Sequence, residues 1–174
     1  WARVQIETTV RNTSGTDSDL TLTTVFYDPA GKEVARKSTR QSVAKGATAK
    51  FQQLVTVERP KLWSIESPSL YKAVSLVQAA ASSGPMDLDS YETPFGIRVI
   101  AFNSERGFLL NGKQVKLRGV CNHHDLGCLG AAVNTRALER QLEIMKAMGV
   151  NAIRTSHNPP APELLDLADR MGFV

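Results

Sequence analysis

The sequence predicts a mixed fold, an all-β sandwich followed by the opening βα units of a parallel sheet. Three observations carry that prediction. Apolar residues recur with a period of two over residues 2–100, the rhythm changes to helical spacing broken by short apolar runs after residue 102, and an Asn-Gly turn signal lies between the two regimes.

Composition agrees with a globular chain. Of 174 residues, 42% are hydrophobic and 22% charged, the range of packed domains and not of disordered or fibrous sequences. The net charge of +4 comes from Lys and Arg residues spread along the chain, with no stripe that could follow phosphates, so no nucleic-acid partner is expected. No apolar run approaches the roughly 20 residues of a membrane-spanning helix, and no membrane partner is expected. The opening WARVQIETTV lacks the charged and apolar regions of a signal peptide and reads as internal to something longer. Two cysteines, Cys121 and Cys128, do not staple a domain of this size, and they leave both cytoplasmic and exported locations open.

In the first half, Val4, Ile6, Thr8 and Val10 alternate with polar neighbours, as do Leu20, Leu22, Thr24 and Phe26. NTSGTDSD and DPAGKE are the intervening turns. Further strands are expected over residues 34–43, 48–57, 70–77 and 91–102, with ASSGP (residues 81–85) as a loose hairpin tip. Six or seven short strands in about 100 residues match an immunoglobulin-like sandwich, here without a cysteine bridge between its sheets.

The second half opens with GFLLNGKQV, where Asn111 and Gly112 both accept the positive φ of a type I′ turn. VKLRGV reads as a compact strand. TRALERQLEIMKAMG places Leu138, Leu142, Met145 and Met148 at helical spacing, with Gly149 where a C-terminal cap belongs. VNAIR is a second strand, PELLDLADRMG a helix opened by Pro162 and closed by Gly172, and Phe173 and Val174 begin a third strand. Strand, helix, strand, helix, strand implies a parallel sheet, open or closed into a barrel, whose ligands gather at the C-terminal strand ends. Those ends carry CNHHD and TSHN.

Four motifs taken together, PKLWSIESPSLY, YETPFGIR, GFLLNGKQVKLRGVCNHHDLG and NAIRTSHNPPAPELLDLADRMGFV, resemble in order and spacing the junction of the immunoglobulin-like domain and catalytic barrel of glycoside hydrolase family 2, the β-galactosidases above all. The resemblance implies residues 1–103 as an immunoglobulin-like sandwich and residues 104–174 as the start of a truncated (β/α)8 barrel, with the jelly-roll domain and remaining barrel strands as partners outside this chain. It implies a retaining hydrolase of terminal β-D-galactosides, or alternatively a β-glucuronidase of the same family. A different class of answer is a non-catalytic carbohydrate- or protein-binding module. The family's two glutamates follow barrel strands four and seven, so no catalytic residue is expected here and the chain alone is expected to be inactive. Glu139, Glu143, Glu163, Asp166 and Asp169 fall on predicted helices.

The resemblance also implies that His157 hydrogen-bonds sugar hydroxyls, and that His123, after the preceding strand, reaches the same β-linked sugar. Asn122 and His124 replace the arginine and glutamate that flank this histidine in the common bacterial form. A neutral imidazole, one donor and one acceptor, suits a hydroxyl that is both. Arg154 reads as a buried charge orienting a catalytic carboxylate or another ligand of the pocket, and Asp125 either meets a hydroxyl or holds its loop. Pro159, Pro160 and Pro162 stiffen the exit loop. Cys121, His123, His124 and Cys128 form a weak alternative metal set without zinc-finger spacing; otherwise no metal or cofactor is expected here, although a divalent cation is compatible with the full-length enzyme, as is a homo-oligomer. A buried thiol is expected at Cys121, ahead of a Cys121–Cys128 disulfide, and Trp63 is expected in a core.

Overall fold

A computed structural model describes residues 1–81 and 84–174, so the ASSGP tip falls partly, at Ser82 and Ser83, outside the described residues. The chain divides into two units, Trp1–Lys61 with Tyr71–Phe95 and Leu62–Leu70 with Gly96–Val174.

Six strands make the first unit: β1 (Ala2–Arg11), β2 (Ser18–Tyr27), β3 (Glu33–Val43), β4 (Thr48–Val57), β5 (Leu70–Ala81) and β6 (Gly84–Gly96). β1 pairs antiparallel with β4, and a second sheet runs in the order β3-β2-β5-β6. Period-two alternation is cleanest in β4, which buries Ala49, Phe51, Gln53, Val55 and Val57 and exposes the residues between. Of these, Ala49 and Phe51 pack with Leu20 and Leu22 of β2 and Val77 of β5, and Val55 packs with Phe26 of β2 and Ala73 of β5, forming the sandwich core. The buried Gln53 amide donates to Leu22 O (3.0 Å) and Thr39 Oγ1 (3.2 Å), and the Thr24 and Ser75 hydroxyls pair at 3.0 Å.

The expected strand over 91–102 is broken. β6 stops at Gly96 and β7 (Ile100–Asn103) starts a new sheet, β7-β8-β9, with β8 (Gly107–Leu110) and β9 (Lys113–Gln114). The break arises because the intervening backbone is claimed elsewhere: Ile97 O accepts from Trp63 N–H (2.8 Å), while Val99 donates to Asn111 Oδ1 (2.9 Å) and accepts from Asn111 N–H (2.8 Å). Asn111 (φ 53°) and Gly112 (φ 77°) form the expected turn between β8 and β9.

VKLRGV is likewise shorter as a strand than its sequence suggests. β10 is only Gly119–Cys121, because the Asn151 side chain bonds the preceding backbone, donating to Lys116 O (3.1 Å) and accepting from Arg118 N–H (2.8 Å). β10 runs parallel to β11 (Ala152–Arg154), with Val120 opposite Ile153 and Cys121 opposite Arg154. Val174 extends the pattern through hydrogen bonds with Ile153 N–H (2.8 Å) and Asn151 O (3.0 Å). The helices α1 (Thr135–Ala147) and α2 (Pro162–Met171) bury Leu138, Leu142, Leu164 and Leu167, with Met145, Met171, Val120 and Ile153 packed against them. Asn134 caps α1 by accepting from Ala137 N–H (3.0 Å), and Gly149 and Gly172 follow the helices in left-handed conformation. Met148 lies past the end of α1 and is 73% exposed, which removes it from the core face.

Trp63, 1% exposed, centres a second cluster with Ile65, Phe108 and Leu110. Its indole N–H donates to Asp169 O at 2.7 Å, supplying one of the last α2 carbonyls with the partner the helix itself lacks. The Arg98 guanidinium lies 4.5 Å from the ring centroid. Lys146 reaches from α1 to Met171 O (2.6 Å), Gly172 O (3.0 Å) and Ile65 O (3.2 Å); burial pulls its ammonium below the ordinary value while Glu66 draws it back.

Candidate functional site

Two loops leave the C-terminal ends of the parallel strands β10 and β11, the edge where ligands collect in such sheets. Asn122 N–H donates to Arg154 O at 2.8 Å and carries the pairing one residue beyond β10. Two residues past Cys121 comes His123, and three past Arg154 comes His157. Their rings meet edge to face, with centroids 5.7 Å apart and planes at 81°, and both side chains are exposed. The β10–β11 register thus brings together two histidines 34 positions apart in sequence.

Arg154 and Cys121 stand side by side on the opposite face of this ladder from Val120 and Ile153. Both are exposed in this chain, against the expectation of a buried charge and a buried thiol, on the ladder face that the expected further barrel strands would adjoin. Alternation supplies the reason: Val120 and Ile153 take the face that packs on α1 and α2, so their neighbours must take the other face, which no element among the described residues covers. Arg154 Nη1 lies 4.0 Å from Cys121 Sγ. Cys121 and Cys128 are both free thiols.

Asp125 is occupied within its own loop, its carboxylate accepting from Gly127 N–H at 2.9 Å and its carbonyl from Gln141 at 3.4 Å. His124 joins His123, Asn122, Thr155 and Asn158 around a small cleft of about 30 Å³. Among the described residues no three His, Cys, Asp or Glu side chains converge as a metal set, so Cys121, His123, His124 and Cys128 are not gathered around one point. Glu139 and Glu143 lie on α1, bound to Arg136 at 3.0 Å each, and Glu163, Asp166 and Asp169 lie on α2. The loops after β10 and β11 therefore carry donors and acceptors suited to hydroxyls, and no glutamate.

Two contributors escaped the sequence reading. Asn151 ties the β10 approach to β11, and its signal was an amide at the head of an otherwise apolar strand. Ser156, at φ 46°, gave no signal, because serine rarely occupies that conformation.

Comparison with known proteins places this architecture. The family model described as Glycosyl hydrolases family 2 matches residues 2–98, and the one described as Glycosyl hydrolases family 2, TIM barrel domain, matches residues 102–174. The chain belongs to glycosyl hydrolases family 2, contributing its immunoglobulin-like domain and the first βα units of its barrel. It is 49% identical over 173 residues to a β-galactosidase of Bacteroides ovatus, a match covering 99% of this chain and 20% of that protein. It is 34% identical over 151 residues to a β-glucuronidase of Bacteroides fragilis, covering 86% of this chain and 21% of that one. The crystal structure of a Bacteroides uniformis β-glucuronidase superposes with a TM-score of 0.92 at 32% identity, over 99% of this chain and 20% of that chain. This chain thus spans about a fifth of the length of these relatives.

Proposed function

We propose that the chain is part of a retaining glycosidase that releases terminal β-D-galactose, and that His123 and His157 hydrogen-bond hydroxyls of that sugar. The observation that supports the galactoside is the 49% identity, across 99% of this chain, with a relative named β-galactosidase. Retention requires two carboxyl groups about 5 Å apart. One gives its proton to the leaving oxygen while the other attacks the anomeric carbon; water then cleaves the glycosyl-enzyme ester, and the first group takes the proton back. Those two glutamates belong to barrel strands four and seven, whereas this chain holds the first two strands. Its own residues bind: exposed imidazoles at the ends of β10 and β11 match hydroxyls as donor and acceptor, and Arg154 offers a cation to orient a carboxylate from another strand.

A second reading, hydrolysis of β-glucuronides, is favoured by the relatives and solved structures of that name. It needs a further cation for the uronate carboxylate, supplied mainly from outside this chain. Release of nitrophenol from aryl β-galactoside and aryl β-glucuronide by the full-length protein separates the two. The expected result is a kcat/KM about 100-fold or more in favour of the galactoside, with the 174-residue chain inactive on both. The reverse preference makes the protein a glucuronidase, and silence on both refutes the glycosidase reading.

A further inference from the structure

Asn151 and Ser156 are the two buried polar residues of the second unit among the described residues, and they are treated very differently. The Asn151 side chain is hydrogen-bonded at both ends. Ser156 is 7% exposed, its hydroxyl has no partner, and its backbone sits at φ 46°. An unpaired buried hydroxyl and a left-handed non-glycine residue both cost stability and persist only where the surroundings enforce them.

The local geometry shows what is enforced. Asn158 N–H donates to Thr155 O at 3.2 Å and closes a four-residue turn with Ser156 and His157 as its central pair. Positive φ falls on Ser156 and not on His157, a pattern that glycine dominates because it lacks a Cβ. Serine is small enough to be buried there, and it restricts the unfolded chain more than glycine would. Pro159 and Pro160 fix the exit from the turn. The ring that this turn delivers, His157, is the one that meets His123 edge to face at 5.7 Å.

We propose that Ser156 is a positioning residue, whose left-handed backbone turn holds the His157 imidazole against that of His123. The consequence for sugar binding rests on the reading of the two histidines given above; the geometric statement does not.

The test is the nuclear Overhauser contact between His123 and His157 ring protons in the 174-residue chain, in the parent, Ser156→Gly and Ser156→Val. Glycine adopts positive φ freely and keeps the contact. Valine, stiff at χ1 and strongly disfavoured at positive φ, abolishes it while the amide signals of β10, β11 and both helices stay in place. A contact that survives Ser156→Val, or disappears in Ser156→Gly, overturns the proposal. Should the valine chain fail to fold, Ser156→Thr decides: it keeps the hydroxyl but is β-branched and disfavoured at positive φ, so its contact is expected to be at least about twofold weaker than that of the parent, and equal intensity overturns the proposal.

In the full-length protein, Ser156→Val is expected to lower kcat/KM on aryl β-galactoside at least about 10-fold and to cause no further loss in a His157→Ala background. Equal losses in both backgrounds would mark a merely structural residue and overturn the proposal. A fully active His157→Ala protein would instead remove the sugar-binding reading, and the ring contact would decide the positioning alone.

Discussion

Replacing Trp63 by phenylalanine keeps an aromatic ring in the core and removes the indole N–H, so it isolates the link between the 62–70 segment and α2. Asp169 O loses its 2.7 Å donor near the helix end, and an unpaired buried carbonyl costs about 1–2 kcal/mol. The missing ring atoms leave a cavity worth about 1 kcal/mol at roughly 24 cal/mol per Å³. A smaller, less electron-rich face under Arg98 removes about 0.5 kcal/mol. The sum is about 3 kcal/mol, set against a core position that is 1% exposed and has no solvent to relax into. Urea unfolding of the 174-residue chain, followed by far-UV circular dichroism, should show the second unit's transition moved down by about 1.5 M at a slope of about 2 kcal/mol per M. Hydrogen exchange should show the amides of α2 opening faster while those of β2 and β4 hold. A midpoint shift below about 0.3 M, or unchanged exchange in α2, would refute the reasoning that this indole is the tie.

Other perturbations separate the terms of the same account. Gly172 and Gly149 have similar φ, 73° and 83°, but a Cβ at Gly172 would run into the Ile65 carbonyl oxygen while one at Gly149 meets nothing within 4 Å; Gly149→Ala should cost about 1 kcal/mol and Gly172→Ala at least about 3 kcal/mol, and equal thermal melts would contradict this. In the sandwich, hydrogen bonds hold four carboxyls below their ordinary range, from Lys50 to Glu7, from Arg40 to Asp19, from the Lys32 backbone to Asp28 and from Arg36 to Glu33. Because the folded values are depressed, their contribution is complete above the unfolded values near pH 4 and is lost as pH falls through the folded ones; urea midpoints of the first unit that stay flat from pH 5 to pH 2 would contradict it. Amides after about Asn122 should exchange faster than those of the sandwich, since the short β10-β11 ladder is open along β10 and covered on its β11 side only by Val174, and equal protection would overturn that expectation.

Much of this fold was legible because its signals are local. Alternation along β4, the Asn111-Gly112 pair, and Pro162 and Gly172 bracketing α2 each act within a few residues, and each produced the element it predicts. The misreadings share a different origin. Residues 97–99 look like strand and leave the sheet because Trp63 and Asn111, distant in sequence, claim their backbone. The approach to β10 is unpaired because Asn151 bonds it. Cys121 and Arg154 are exposed because strand alternation puts them on the ladder face away from the helices, and this chain holds only the first two of the strands that would surround that face. At the candidate site, the residue types His123 and His157 were legible and their meeting was not, since it depends on the β10–β11 register and on a left-handed serine.

The central claim, that His157 binds the sugar of a glycosidase, is tested most directly by kcat/KM on aryl β-galactoside for the full-length protein and its His157→Ala variant. The account predicts a loss of about 100-fold or more, the signature of a hydrogen-bonding group withdrawn from a bound hydroxyl at the transition state. A variant within about twofold of the parent, with its melting temperature unchanged, would contradict it.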